Sequence, residues 1–209
     1  MNGRRCLASA VVAALVTTPA AAQSPTAPVV IYLHGRIIEE QGPAAMSAEY
    51  GAYLYQAILD SLRAGGFQVL SEVRPQGTDV DQYAKRVADQ VDSLLAAGVP
   101  ARRIAVVGFS KGGGIAIRAS ARLHRADLTF VFMASCGEGE APNLAVAGRI
   151  LSVYETSDSL GRSCASLFAK ALNGTVSKED RITTGLKHGA FYQPRREWLE
   201  PVRLWIRRP

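Results

Sequence analysis

Ile104-Ala105-Val106-Val107-Gly108-Phe109-Ser110-Lys111-Gly112 joins a short β-branched apolar run to a segment of helical character, with a serine between two glycines at the junction. In that context the stretch reads as a nucleophile elbow. A serine hydroxyl is a weak nucleophile at neutral pH, so a tight strand-to-helix turn has to expose the Ser110 oxygen to a base and a substrate. Side chains at Gly108 and Gly112 would collide where the turn folds back and where the helix packs on the strand, so both positions favour a residue without Cβ. The five-residue pattern also arises by chance at ordinary Gly and Ser usage, as a glycine-rich turn. Its weight depends on partners elsewhere in the chain.

Strand and helix signals alternate on both sides of the elbow. Val29–Leu33 is a short, continuous, β-branched run, as expected of a strand covered on both faces. Helical character follows over 48–64 and closes at Gly65-Gly66, ahead of a strand over 67–73. Thr78 with Asp81 forms a capping box for a helix that puts Val80, Tyr83, Val87, Val91 and Leu94 on one face and ends at Gly98 and Pro100. After the elbow strand, 104–107, a helix over 115–123 begins behind Gly112, Gly113 and Ala116, all small enough for close packing on a sheet. Strands are expected over 128–133, 150–154 and 181–184, with a helix over 163–172 between the last two. Trp198, Val202, Trp205 and Ile206 give a closing helix an apolar stripe that reads as core. Such alternation predicts an α/β fold: a mainly parallel sheet of about six strands, helices on both faces, and a site at the carboxyl ends of the strands.

Val29-Val30-Ile31-Tyr32-Leu33-His34-Gly35, the elbow at Ser110, Asp158 just after a strand and His188 near the end follow one another in the order strand, nucleophile, acid, histidine. In this the chain resembles the α/β-hydrolase superfamily, from about Val29 to Ile206. The resemblance implies a minimal version of that fold, lacking the first two strands of the fuller pattern. It fixes chemistry better than substrate, because the superfamily's substrate range is wide.

It also implies roles for particular residues. His188, in Gly185-Leu186-Lys187-His188-Gly189-Ala190-Phe191, is the candidate base, since imidazole titrates near neutrality and can take the serine proton and return it. The other two histidines have other settings: His124 lies late on the elbow helix between Arg122 and Arg125, facing solvent by default, and His34 belongs to the oxyanion turn. Asp158 is the candidate orienting acid, four residues beyond Tyr154. Glu155 directly abuts the strand and is the nearest competitor, with Glu138 and Glu140 further off, and any of these carboxylates could equally be a surface charge. Backbone donors for an oxyanion hole are expected from Lys111, the residue after the nucleophile, and from Arg36 in the turn His34-Gly35-Arg36. The Lys111 side chain is expected to be solvated or paired. The Arg36 guanidinium could meet an acidic substrate, with a salt bridge to Glu39 or Glu40 the favoured use.

Arg4 and Arg5, an apolar run over 7–16 and then Ala20-Ala21-Ala22 read as a secretory signal peptide over 1–22. The run is about ten residues, against the ~20 a spanning helix needs, so no membrane anchor is expected and the protein is expected to be secreted or periplasmic. A disordered lead-in over 23–28 and a single domain over 29–209 follow. Loss of the leader removes two arginines and no acid, lowering the net charge from +6 to +4. The basic residues are dispersed and no aromatic-interleaved stripe is present, which argues against nucleic acid as a partner. The partner implied is a small-molecule acyl substrate.

Cys136 and Cys164 remain after loss of Cys6 with the leader, and an even pair in an oxidising compartment is a candidate disulfide. In the sheet that the resemblance implies, the strands preceding them are neighbours, so the bridge would pin the acid loop; two free buried thiols are the alternative. Three scattered histidines do not make a zinc site, and neither a phosphate loop nor a dinucleotide fingerprint is present, so no metal or organic cofactor is expected. The 137–148 region shows no long helical period, which leaves no large lid and an open site. The expected function is hydrolysis of carboxylic esters by Ser110, His188 and Asp158 through an acyl-enzyme. The same groups would serve a peptidase, amidase or thioesterase, and a binding protein retaining the fold without turnover is the alternative of another class.

Overall fold

The computed structural model describes residues 27–137 and 144–208. The expected signal peptide, residues 23–26 of the lead-in, and Glu138 and Glu140 lie outside the described residues. In chain order the elements are β1 (Val29–Leu33), α1 (Arg36–Gln41), β2 (Met46–Ser47), β3 (Gly51–Ala52), α2 (Tyr55–Ala64), β4 (Gln68–Leu70), α3 (Val80–Ala96), β5 (Ile104–Phe109), α4 (Lys111–Leu123), β6 (Thr129–Met133), β7 (Arg149–Glu155), α5 (Ala165–Phe168), β8 (Val176–Ile182) and α6 (Arg196–Arg207). Six strands pair in the order β4-β1-β5-β6-β7-β8, every pair parallel, while β2 and β3 form a separate antiparallel ribbon.

The apolar runs of β1, β5 and β6 are buried throughout because both faces of the sheet are covered. Successive side chains alternate between two cores. Val30, Tyr32, Val107, Val131 and Leu151 pack with α2 and α6. Val29, Ile31, Val106, Phe130 and Ile150 pack with α3 and α4. The closing stripe enters the first core, where Trp198, Val202 and Ile206 are buried, and each such side chain contributes about 2 kcal/mol on leaving water.

Several elements differ from the sequence expectation. The helix expected over 48–64 begins at Tyr55, because Gly51 adopts φ 77° in the β2–β3 ribbon, a conformation no helix accommodates. The cap of α3 is Asp79 and not Thr78: Asp79 Oδ1 accepts the Gln82 N–H at 2.8 Å, while the Thr78 hydroxyl donates to the Pro75 carbonyl and Asp81 pairs with Arg118. The strand expected over 67–73 shortens to Gln68–Leu70. The last strand runs over Val176–Ile182 in place of 181–184. It is the edge of the sheet, so its exposed Lys178 and half-buried Glu179 and Asp180 give no apolar run to read. The helix expected over 163–172 contracts to α5 behind Cys164, and α1, only six residues long, had no periodic signal.

Candidate active site

The carboxyl ends of β1, β5, β7 and β8 lie at one rim of the sheet, and each delivers one segment of the candidate site. At the end of β5, Ser110 adopts φ 52° and ψ −121°, and its N–H donates to the Met133 carbonyl at 2.9 Å. A non-glycine residue in that conformation carries a cost of about 1–3 kcal/mol that the surroundings must offset. The glycines make the turn possible. A Cβ on Gly108 would stand 2.3 Å from the Gly112 carbonyl oxygen, one on Gly112 2.0 Å from that of Leu33, and one on Gly113 1.6 Å from Ser135 Oγ.

His188 lies in a 3₁₀ turn, Lys187–Phe191, beyond β8. Its ring sits 4.7 Å from the Phe109 ring, centroid to centroid, and 6.1 Å from that of Tyr50, so the residue preceding the serine fixes one side of the imidazole. Asp158 is buried in the loop after β7. Its Oδ2 lies 2.7 Å from His188 Nδ1 and its Oδ1 accepts the Leu160 N–H at 2.9 Å. A carboxylate only accepts, so Nδ1 carries a hydrogen, and Nε2 is the nitrogen left to exchange a proton with a neighbour. Ser110, His188, Lys111, Gly35 and Arg36 all line one cleft of about 670 Å³.

Glu155, the nearest competitor for the acid, has a different use. Its Oε2 accepts from the Ser157 N–H and hydroxyl at 2.7 and 2.5 Å, and its Oε1 from the N–H groups of Thr184 and Gly185 at 2.9 and 3.1 Å. Burial pushes this carboxyl up, and the donors from Ser157, Thr184 and Gly185 outweigh burial and hold it below the usual carboxylate range. It joins the loop of Asp158 to the loop of His188.

Beneath the turn after β1 is a group of charges that sequence reasoning missed. Glu39, one of the two partners expected for Arg36 beside Glu40, instead accepts Arg74 Nε at 2.7 Å and Lys111 Nζ at 2.5 Å, while Arg36 is exposed at the first position of α1. His34 is fully buried; burial first and the Arg74 charge second lower its pKa to about 4, so it is neutral. The Arg74 N–H donates to its Nε2 at 3.0 Å, which leaves the hydrogen on Nδ1 and directs it to the Gly35 carbonyl at 2.8 Å. Arg74 comes from the irregular segment after β4, where no periodic or motif signal exists.

Cys136 and Cys164 form a disulfide with Cα atoms 5.2 Å apart, and the Arg162 N–H donates to the Cys136 carbonyl at 2.7 Å. The loop carrying Asp158 is thereby tied to the end of β6, the neighbouring strand. His124 caps α4 in a left-handed conformation and is exposed, as expected. Tyr53 and Tyr55 are buried, whereas Tyr50 lines the cleft. Among the described residues no cluster of His, Cys, Asp or Glu could hold a metal ion, and no helix is long and apolar enough to cross a membrane.

A parallel six-stranded sheet with helices on both faces and a serine on the turn between its central strand and the next helix is the arrangement of a minimal α/β-hydrolase fold. Part of the chain, residues 67–147, matches the phospholipase/carboxylesterase family. The chain is similar in structure to SOBER1 from Arabidopsis thaliana (16% identity, TM-score 0.58, covering 88% of this chain and 99% of that one). It is also similar to the esterase PE8 (14% identity, TM-score 0.57, covering 91% and 95%) and to XC6422, a lidless α/β serine hydrolase from Xanthomonas campestris (14% identity, TM-score 0.56, covering 90% and 83%). No curated protein matches the sequence.

Proposed function

We propose that this protein is a secreted serine hydrolase that cleaves carboxylic esters, with Ser110 as nucleophile, His188 as base and Asp158 as orienting acid. The observation that carries this reading is the 2.7 Å contact between His188 Nδ1 and Asp158 Oδ2, in a cleft that Ser110 also lines. With its Nδ1 hydrogen committed to the carboxylate, the imidazole offers Nε2 to the serine hydroxyl. Ser110 Oγ attacks the ester carbonyl and its proton passes to Nε2. The N–H groups of Lys111 and Arg36 hold the oxyanion of the tetrahedral intermediate, each contributing ~3 kcal/mol. The C–O bond to the alcohol then breaks, and the alcohol leaves with the proton from Nε2. Water, deprotonated by the same nitrogen, attacks the acyl-enzyme, and collapse of the second intermediate releases the acid and restores the serine hydroxyl.

The family match over residues 67–147 favours esters over amides as the substrate class. The disulfide supports an oxidising compartment, in keeping with a signal peptide over 1–22. A fluorophosphonate probe should label the wild type and leave Ser110→Ala unlabelled. Equal labelling of both proteins would remove Ser110 from its role.

A further inference from the structure

We propose that Glu39 is a positioning residue of the oxyanion hole, its carboxylate clamping the turn after β1 against the first turn of α4; this rests on the reading of Ser110 as nucleophile. The two expected donors belong to different segments. Lys111 opens α4 and Arg36 opens α1; Gly112 packs directly against the Leu33 and His34 carbonyls and brings the two segments together, leaving side-chain bonds to set how the two openings face each other. Glu39, on α1, reaches both. Its Oε2 accepts the Lys111 ammonium at 2.5 Å, and its Oε1 accepts Arg74 Nε at 2.7 Å.

Arg74 relays the constraint to the turn itself. Its Nη2 donates to the His34 carbonyl and its backbone N–H donates to His34 Nε2 at 3.0 Å. The imidazole so held donates from Nδ1 to the Gly35 carbonyl at 2.8 Å, which also accepts the Ile38 N–H at 3.3 Å. In a trans peptide the N–H points opposite the C=O. Fixing the Gly35 carbonyl along α1 therefore aims the Arg36 N–H out of the helix end, where Gly35, Arg36 and Ser110 line the cleft. Through Arg74, which holds the His34 carbonyl directly and the Gly35 carbonyl by way of the imidazole, the turn is tied to the same carboxylate as the side chain of the residue after the serine.

Charge burial argues in the same direction. The Glu39 and Arg74 side chains are 1% and 0% exposed, and that of Lys111 13%. Removing three ionised groups from water is a poor way to stabilise a fold, since apolar side chains of similar volume do as well or better. What directional ion pairs supply is a fixed geometry, and a misplacement of about 1 Å in a catalytic group costs about 100-fold in rate.

Two substitutions separate positioning from simple electrostatics, because they change the charge beside the oxyanion in opposite directions. Glu39→Gln removes one negative charge and Lys111→Met removes one positive charge. A long-range field acting on the oxyanion would raise kcat in the first and lower it in the second. Positioning lowers kcat in both, by about 30-fold, with KM on a short-chain p-nitrophenyl ester changed by less than about threefold. Affinity for an arylboronic acid, which forms a tetrahedral anion on serine, should fall in step with kcat, and Lys111→Arg should recover most of the loss. Should Glu39→Gln fail to fold, Glu39→Asp carries the comparison, since it keeps the charge and shortens the reach: a field would leave kcat near wild type, whereas positioning lowers it. Unchanged kcat, kcat changes of opposite sign, or unchanged boronate affinity alongside a lower kcat would each overturn the proposal. A wild type that neither hydrolyses the ester nor takes up fluorophosphonate removes the nucleophile and this inference together. An active wild type with an unaffected Lys111→Met removes the inference alone.

Discussion

Asp158 Oδ2 lies 2.7 Å from His188 Nδ1 across 30 residues of sequence, while the other oxygen of the same carboxylate accepts the Leu160 N–H. Both partners are donors and only a carboxylate can satisfy the two at once. In Asp158→Asn one amide nitrogen must face a donor, either displacing the Leu160 N–H or forcing the imidazole into its other tautomer. The expected result is a fall of about 10⁴ in kcat, with folding retained. Steady-state kinetics on an activated ester beside a thermal melt measures both, and a variant within tenfold of wild type would exclude Asp158 as the orienting acid.

Glu155→Gln should act on stability first and on turnover second. Four donors from Ser157, Thr184 and Gly185 converge on the native carboxylate, and an amide presents an N–H group to at least one of them. The expected loss is about 3 kcal/mol in denaturant unfolding at neutral pH. Because the folded pKa of Glu155 is depressed, its contribution is present above the ordinary carboxylate range and is lost as pH falls through the folded value. The gap between wild type and variant should therefore narrow in acid. A gap independent of pH would show that the charge of Glu155 has no part in it.

His34 predicts pH dependence in a higher window. The unfolded chain takes up a proton near pH 6.5, whereas the folded protein, with His34 buried beside Arg74, resists until about pH 4. Stability from this group is thus complete above pH 6.5 and declines on acidification to pH 4, by about 3 kcal/mol in all. Urea unfolding of the wild type and of His34→Gln between pH 4 and 7 isolates it. The variant should show a slope shallower by about 1.4 kcal/mol per pH unit; parallel slopes would mean that His34 takes up its proton in both states.

Cys136→Ser with Cys164→Ser opens a loop closed across a sequence separation of 28. Chain entropy puts the expected destabilisation at about 3.5 kcal/mol. Reductant should lower the melting temperature of the wild type to that of the double variant and leave the variant where it is. Since the bridge ties down the segment that carries Asp158, kcat should fall as well, by about tenfold. A wild type insensitive to reductant under unfolding conditions would contradict the bridge.

The alternation of strands and helices and the covering of both sheet faces were legible in the sequence. Runs such as Val29–Leu33, buried on both faces, carry that information in their composition. β8 was misplaced because an edge strand faces solvent and has no apolar run, and the start of α2 was misplaced because a left-handed Gly51 interrupts a segment of helical composition. Gly108, Ser110 and Gly112 were legible because a tight turn restricts residue types locally: a Cβ on Gly112 would stand 2.0 Å from the Leu33 carbonyl oxygen.

The amino-acid sequence by itself determined the α/β class and the elbow, which follow from local periodicity and turn sterics, and its resemblance to the α/β-hydrolases pointed to the candidates Asp158 and His188. Tertiary structure alone decided that Glu155 joins two loops, that Asp79 caps α3, and that Glu39, Arg74, His34 and Lys111 share one buried network. The reason is physical: the partner of a buried charge is whichever group the fold brings within about 3 Å, and Glu39 and Lys111 stand 72 positions apart with no pattern linking them.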